Sequence, residues 1–160
     1  MMRAIAGMFE VATMQQSHEE YTLSTDAARV DVRAVHAFLT RSYWAGGIPL
    51  ETVEQAIANS LCVGAYAQDG RQVGFARFIS DYTTYCYVCD VYVLESERGH
   101  GLAPAMIALA RRHPRLQGLR RWGLVTKGAQ KVYAEAGFKP VAHPERHMEI
   151  NVLDIYRQAG

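Results

Sequence analysis

A chain of 160 residues, about half of them hydrophobic, is the size of one globular domain with one sizeable core, which argues against a second domain. Seventeen Lys and Arg against 16 Asp and Glu give a formal net charge of +1, which excludes the strong one-signed field of a dedicated nucleic-acid or polyanion binder. Three cysteines are too few for a disulfide framework, no apolar run approaches the ~20 residues of a membrane span, and no basic-then-apolar leader pattern opens the chain. The expectation is therefore a soluble cytoplasmic protein without a metal, with Cys86 and Cys89 as plain strand cysteines, since their C-x-x-C lies in a β-rich run rather than at a turn or helix start.

Residues 1–17 show no clear periodicity and are set apart as an N-terminal extension, leaving 18–160 as the domain. Glu20 to Ser24 alternates modestly and reads as a first strand. Asp31 then caps a helix with Val32, Val35, Phe38 and Leu39 on one face, expected to run to about Trp44 before Gly46 and Gly47 break it. Pro49 opens a second helix with a Val53, Ala56 and Ile57 stripe. Leu61 to Ala67 and Gln72 to Ile79 flank Asp69-Gly70, a strong hairpin signal, and Thr83 to Leu94 continues as a strand rich in Tyr, Val and Cys.

Extended structure must stop at the glycines of the run from Glu95 to Ala103, after which Leu102, Met106, Leu109 and Ala110 give a helix its apolar face; Pro114 ends it. Trp122 to Thr126 reads as a short strand and Ala129 to Ala136 as a helix stopped by Gly137, with further strands expected from Phe138 and over Met148 to Val152. This order gives a mixed α/β fold without repeats or a linker.

A strand feeding a glycine-rich turn that opens a helix is a place to hold phosphate, because unpaired backbone N–H groups point outward and the helix dipole favours negative charge. No Lys followed by Ser or Thr completes a P-loop, and Pro104 stands where G-x-G-x-x-G needs its third glycine. The segment Ser96-Glu97-Arg98-Gly99-His100-Gly101 instead resembles the pyrophosphate loop of the GNAT superfamily of N-acetyltransferases: Gln or Arg, two residues, Gly, one residue, then Gly or Ala. Ser96 departs from that pattern at its first position. A second motif, Ala129 followed by Tyr133-Ala-Glu-Ala-Gly137-Phe138, resembles the family's Ala-x-x-x-Tyr-x-x-x-Gly-Phe at the family's distance from the loop. The resemblance covers roughly Glu20 to Val152.

The resemblance implies a central, mostly antiparallel mixed sheet flanked by about four helices, and acetyl-CoA as acyl donor. It implies that Arg98, Gly99, His100, Gly101, Leu102 and Ala103 bind the pyrophosphate and that the backbone of Val91, Tyr92 and Val93 pairs with the pantetheine arm. Tyr133 is implied as the proton donor to the departing thiolate, and a backbone N–H on the preceding strand as the group that polarises the acyl carbonyl. Thr126 stands where the family often has an Asn that contacts the donor.

Asp90, on the strand leading to the loop, and Asp81, just before that strand, are the candidates to accept a proton from the acceptor or to orient its ammonium. Asp90 is taken as catalytic and Asp81 as substrate-binding, against the alternatives of a strand-edge carboxylate and a turn cap. Tyr43 and Trp44, ending a helix beside a glycine break, are expected in the acceptor pocket. The function expected is transfer of an acetyl group to a primary amine of a small molecule, with no nucleic-acid or membrane partner. A homodimer, a protein amino-terminal or lysine acceptor, and a catalytically silent acyl-CoA sensor stay open.

Overall fold

The computed structural model describes residues 12–157. One sheet of six strands carries them, in the spatial order β1 (Gln15–His18), β2 (Tyr21–Ser24), β3 (Leu61–Tyr66), β4 (Gln72–Ser80), β5 (Tyr85–Val93) and β6 (Arg121–Leu124). Neighbours are antiparallel except β5 and β6, which are parallel. Four helices accompany them: α1 (Val32–Leu39), α2 (Leu50–Ala58), α3 (Leu102–Arg111) and α4 (Gln130–Glu135). The expected mixed, mostly antiparallel sheet with about four helices is the architecture found. No helix among the described residues is long and apolar enough to cross a membrane.

Helices on both faces explain the composition of the strands. Leu102, Met106, Ile107, Leu109 and Ala110 of α3 pack with Leu23, Val63, Ala76 and Phe78 on one side. Val35, Leu39 and Val53 of α1 and α2 pack with Cys62, Phe75 and Tyr92 on the other. A strand covered on both faces reads as a continuous apolar run rather than an alternation, which is the pattern of β3, buried along its whole length.

Four features differ from the sequence reading. First, β1 starts inside the stretch set apart from the domain, of which residues 1–11 lie outside the described residues. Gln15-Gln16-Ser17-His18 carries no apolar alternation because β1 is an edge strand, exposed along alternate positions and held by its ladder to β2. Second, α1 stops at Leu39 rather than near Trp44. Ser42 Oγ donates to the Leu39 carbonyl at 2.7 Å and accepts from the Ala45 N–H at 3.0 Å, and the Gly47 N–H returns to the Thr40 carbonyl, so the polar residues convert the next turn into a loop.

Third, β5 begins at Tyr85, two residues later than expected, because Asp81 to Thr84 form a side-chain-stabilised turn. Fourth, the strands expected from Phe138 and at Met148 to Val152 are not formed. Met148 and Ile150 are 97% and 98% exposed, and a hollow of about 600 Å³ separates residues 141–148 from β6, so the segment's apolar residues find no strand to pair with. It continues to Tyr156, which packs beside α1 and α2.

Cys86 and Cys89 sit on β5, and burial pushes both thiols up to about 12, which keeps them protonated and unreactive.

Candidate active site

The parallel pair β5–β6 runs only from Tyr85 opposite Arg121 to Val88 opposite Leu124. Beyond Val88 no strand lies beside that edge of β5 among the described residues, and a cleft of about 470 Å³ opens there. Val91, Tyr92 and Val93 line it, together with Arg98, Gly99, Gly101, Leu102 and Ala103 of the loop and Tyr133 of α4. A bare strand edge in a cleft is suited to an extended amide-bearing ligand that adds itself as a further strand. The Tyr92 ring leaves the cleft free of its hydroxyl by stacking on Phe38 at 3.9 Å in the α1 and α2 core.

At the far end of the cleft, Gly101 caps α3 in a left-handed conformation, φ +68°, and makes no side-chain cap. The first-turn N–H groups of Leu102 and Ala103 are left for a ligand; Pro104, the third residue of the helix, has none to satisfy. Gly99 has φ +90°, and a Cβ there would meet nothing within 4 Å, so the backbone is open to close approach by an anion.

The loop is held from behind. His18 Nε2 donates to the His100 carbonyl at 2.6 Å, and His100 Nδ1 lies 2.9 Å from Glu19. Tyr21 donates its hydroxyl to Glu97 at 2.7 Å, and Arg71 reaches the same carboxylate. Both carboxylate oxygens of Glu97, which also lines the cleft, are thereby engaged, one by Tyr21 and the other by Arg71. His100, expected among the phosphate-binding residues, contributes its ring to this brace, and that ring also packs on Tyr21.

Tyr133 is placed by the chemistry of its own helix end. The Gly137 N–H bonds the Ala134 carbonyl and the Phe138 N–H bonds the Tyr133 carbonyl, with Gly137 at φ +93°. Those two bonds form a Schellman ending, whose accompanying apolar contact is the edge-on meeting of the Tyr133 and Phe138 rings at 6.1 Å. The Tyr-x-x-x-Gly-Phe spacing is therefore what fixes the tyrosine at the cleft. Burial raises its hydroxyl pKa above the ordinary tyrosine value, and among the described residues the hydroxyl makes no hydrogen bond.

Tyr133 and Val91 also line a second pocket of about 410 Å³ with Tyr43, Trp44, Tyr87, Asp90, Thr126, Lys127, Glu149 and Asn151. The expected Tyr43, Trp44 and Asp90 thus meet in one place. Asp90 accepts from Arg77 Nε at 2.7 Å and from Trp44 Nε1 at 3.0 Å, and its side chain is only 10% exposed. Asp81 lies elsewhere: its carboxylate accepts from the N–H groups of Thr83, Thr84 and Tyr85 and from the Thr84 hydroxyl. Those hydrogen bonds hold its pKa well below the usual carboxylate range.

A low folded pKa contributes stability that is complete above the unfolded value and is lost as pH falls below it. Asp81→Ala is therefore expected to lower the Tm at pH 7, with the difference from wild type shrinking below about pH 4. A variant that melts normally but loses acceptor affinity would instead return Asp81 to the site.

Arg77, Glu149, Asn151 and the bracing residues His18 and Tyr21 are absent from the sequence reading. Arg77 carried a usable signal, a cation inside an otherwise apolar strand, since such a charge is buried only with a partner. Glu149 and Asn151 carried none, because nothing in their neighbourhood fixes the path of the chain after α4.

Residues 27–138 match the Acetyltransferase (GNAT) family. A Gibberella zeae protein named as a predicted acetyltransferase is 30% identical, over 72% of this chain and 77% of that one. A crystal structure from Xanthomonas campestris pv. campestris, described as an acetyltransferase of the GNAT family, superposes with TM-score 0.83 at 43% identity, covering 88% of this chain and 99% of that one. A Mycobacterium tuberculosis protein crystallised with CoA gives TM-score 0.56 at 25% identity over 71% of this chain and 70% of that one. With its strand edge, its uncapped helix start and its tyrosine set by a Schellman ending, the chain belongs to the GNAT family of acetyltransferases.

Proposed function

We propose that this chain transfers the acetyl group of acetyl-CoA directly to a primary amine of a small molecule. The observation that carries the reading is the position of Tyr133, shared between the strand-edge cleft that ends at the helix start and the aromatic pocket around Asp90. The pyrophosphate is held by the N–H groups of the loop from Arg98 to Ala103, and the pantetheine arm lies along Val91 to Val93. The acceptor enters past Tyr43, Trp44 and Tyr87, whose ring faces favour a cationic amine, with Asp90 adding negative charge.

In the transfer, the neutral amine nitrogen attacks the acyl carbon, the C–S bond breaks, and the thiolate takes the Tyr133 proton. The proton that the new amide releases to solvent is balanced by one that the tyrosinate takes back from solvent. No covalent enzyme intermediate is needed. The raised pKa keeps Tyr133 protonated, so on its account kcat shows no alkaline decline below about pH 10.

The test is an amine-library screen read by free CoA thiol. Amine-dependent thiol release supports the reading, and the structures of active amines define the acceptor. Tight acetyl-CoA binding without release by any amine would favour the sensor instead.

A further inference from the structure

Asp90 is a non-glycine residue at φ +50° in the middle of a strand, a conformation that persists only where the surroundings impose it. It lies in a β-bulge: Phe75 pairs with Tyr92 and Arg77 with Cys89, so Asp90 and Val91 together oppose the single residue Ala76. The bulge falls just after Val88, where β6 leaves β5 and the cleft begins.

Three groups from three elements hold this conformation. Arg77 Nε on β4 donates to one Asp90 oxygen at 2.7 Å, and Trp44 Nε1 on the α1–α2 loop donates to the other at 3.0 Å. Arg77 is itself anchored by a 3.1 Å bond to Ser60 Oγ, beyond the end of α2. Both charged side chains are largely buried, at 15% and 10% exposure. Trp44 lines the donor cleft and the acceptor pocket alike, so one carboxylate ties the bulge to a wall common to both.

We propose that Arg77 and Trp44 are positioning residues that act through Asp90, locking the bulge so that its backbone N–H faces the acyl carbonyl. The inference rests on the acetyl-transfer reading above. It departs from a proton-accepting role for Asp90 in a checkable way. A base freed from Arg77 still accepts protons, whereas a bulge freed from Arg77 loses its geometry.

The experiment takes the wild type, Trp44→Phe, Arg77→Gln, Arg77→Lys, Asp90→Asn and the Arg77→Gln/Asp90→Asn double variant. It measures CoA affinity, kcat with an active amine from the screen, and the carbonyl stretch of bound isotope-labelled acetyl-CoA. Arg77→Gln and Asp90→Asn are each expected to keep the CoA Kd within about threefold and to lower kcat by about tenfold or more. The double variant should lose little beyond the worse single one, because both remove the same device. Arg77→Lys should recover part of the loss. The carbonyl band should move back toward its free-solution frequency in Arg77→Gln and Asp90→Asn, a change that a purely structural ion pair does not produce.

Trp44→Phe removes the indole N–H that reaches Asp90 while keeping an aromatic ring at a residue that is 42% exposed, so it keeps the proposal testable if Arg77→Gln fails to fold. A folded Trp44→Phe with an unmoved carbonyl band overturns the proposal. So does an Arg77→Gln enzyme with near-wild-type kcat and a shifted acid limb, the signature of Asp90 as base. A wild type that binds neither CoA nor acetyl-CoA would instead sink the acetyl-transfer reading, an outcome visible before any variant is made.

Discussion

Tyr133→Phe is expected to bind acetyl-CoA like the wild type and to lose roughly ten- to a thousandfold in kcat, the scale of one positioned proton donor. The phenyl ring keeps the edge-on contact with Phe138, and the two backbone bonds that end α4 do not involve the side chain. The lost hydroxyl makes no protein hydrogen bond among the described residues, so the stability change should stay within about 1 kcal/mol. Thermal melts check that control, and stopped-time thiol release checks the rate. An unchanged kcat would mean that water or another group protonates the thiolate. A folding collapse would mean that the ring serves the core rather than the reaction.

Gly101→Val is expected to abolish stabilisation by acetyl-CoA. At φ +68° a β-branched residue is strained, so the backbone must rotate at the point where the helix start presents its free N–H groups. For a ligand at about 100 times its Kd the wild type gains about 2.7 kcal/mol. With an unfolding entropy of about 2.1 cal/mol/K per residue over the 160 residues, that is a rise in Tm of about 8 °C. The variant should show a shift near zero. A second measurement separates loss of the anion site from general damage: S-acetylpantetheine, which lacks the pyrophosphate, should be used with similar kcat/KM by both enzymes. Retention of the full acetyl-CoA shift would remove the loop from the donor site.

The legible parts of this protein were those written in short stretches of chain. Asp31 as a helix cap, the Asp69-Gly70 hairpin, the uncapped glycine start of α3 and the Gly137 ending of α4 each depend on bonds between residues a few positions apart. The loop and the tyrosine were therefore found from the order of residues alone. Tyr43 and Trp44 were expected at the end of a helix and were found in a loop, but the break after Leu39 is itself local, in the Ser42 hydroxyl and the Thr40 carbonyl.

By itself the sequence determined the family, the mixed α/β class, the glycine turn of Gly99 and Gly101 that opens α3, and the motif that presents Tyr133. Only the tertiary structure decided that Gln15–His18 closes the sheet as β1, that His18 and Tyr21 brace the loop 82 and 76 residues away, and that Asp90 is gripped by Arg77 and Trp44. It also decided that Glu149 and Asn151 line the pocket around Asp90 and that residues 148–152 form no strand. The reason is the range of the interactions. Periodicity, capping and turn chemistry act within a turn or two of chain, whereas a bulge, an edge strand or a buried ion pair exists only once distant segments are side by side.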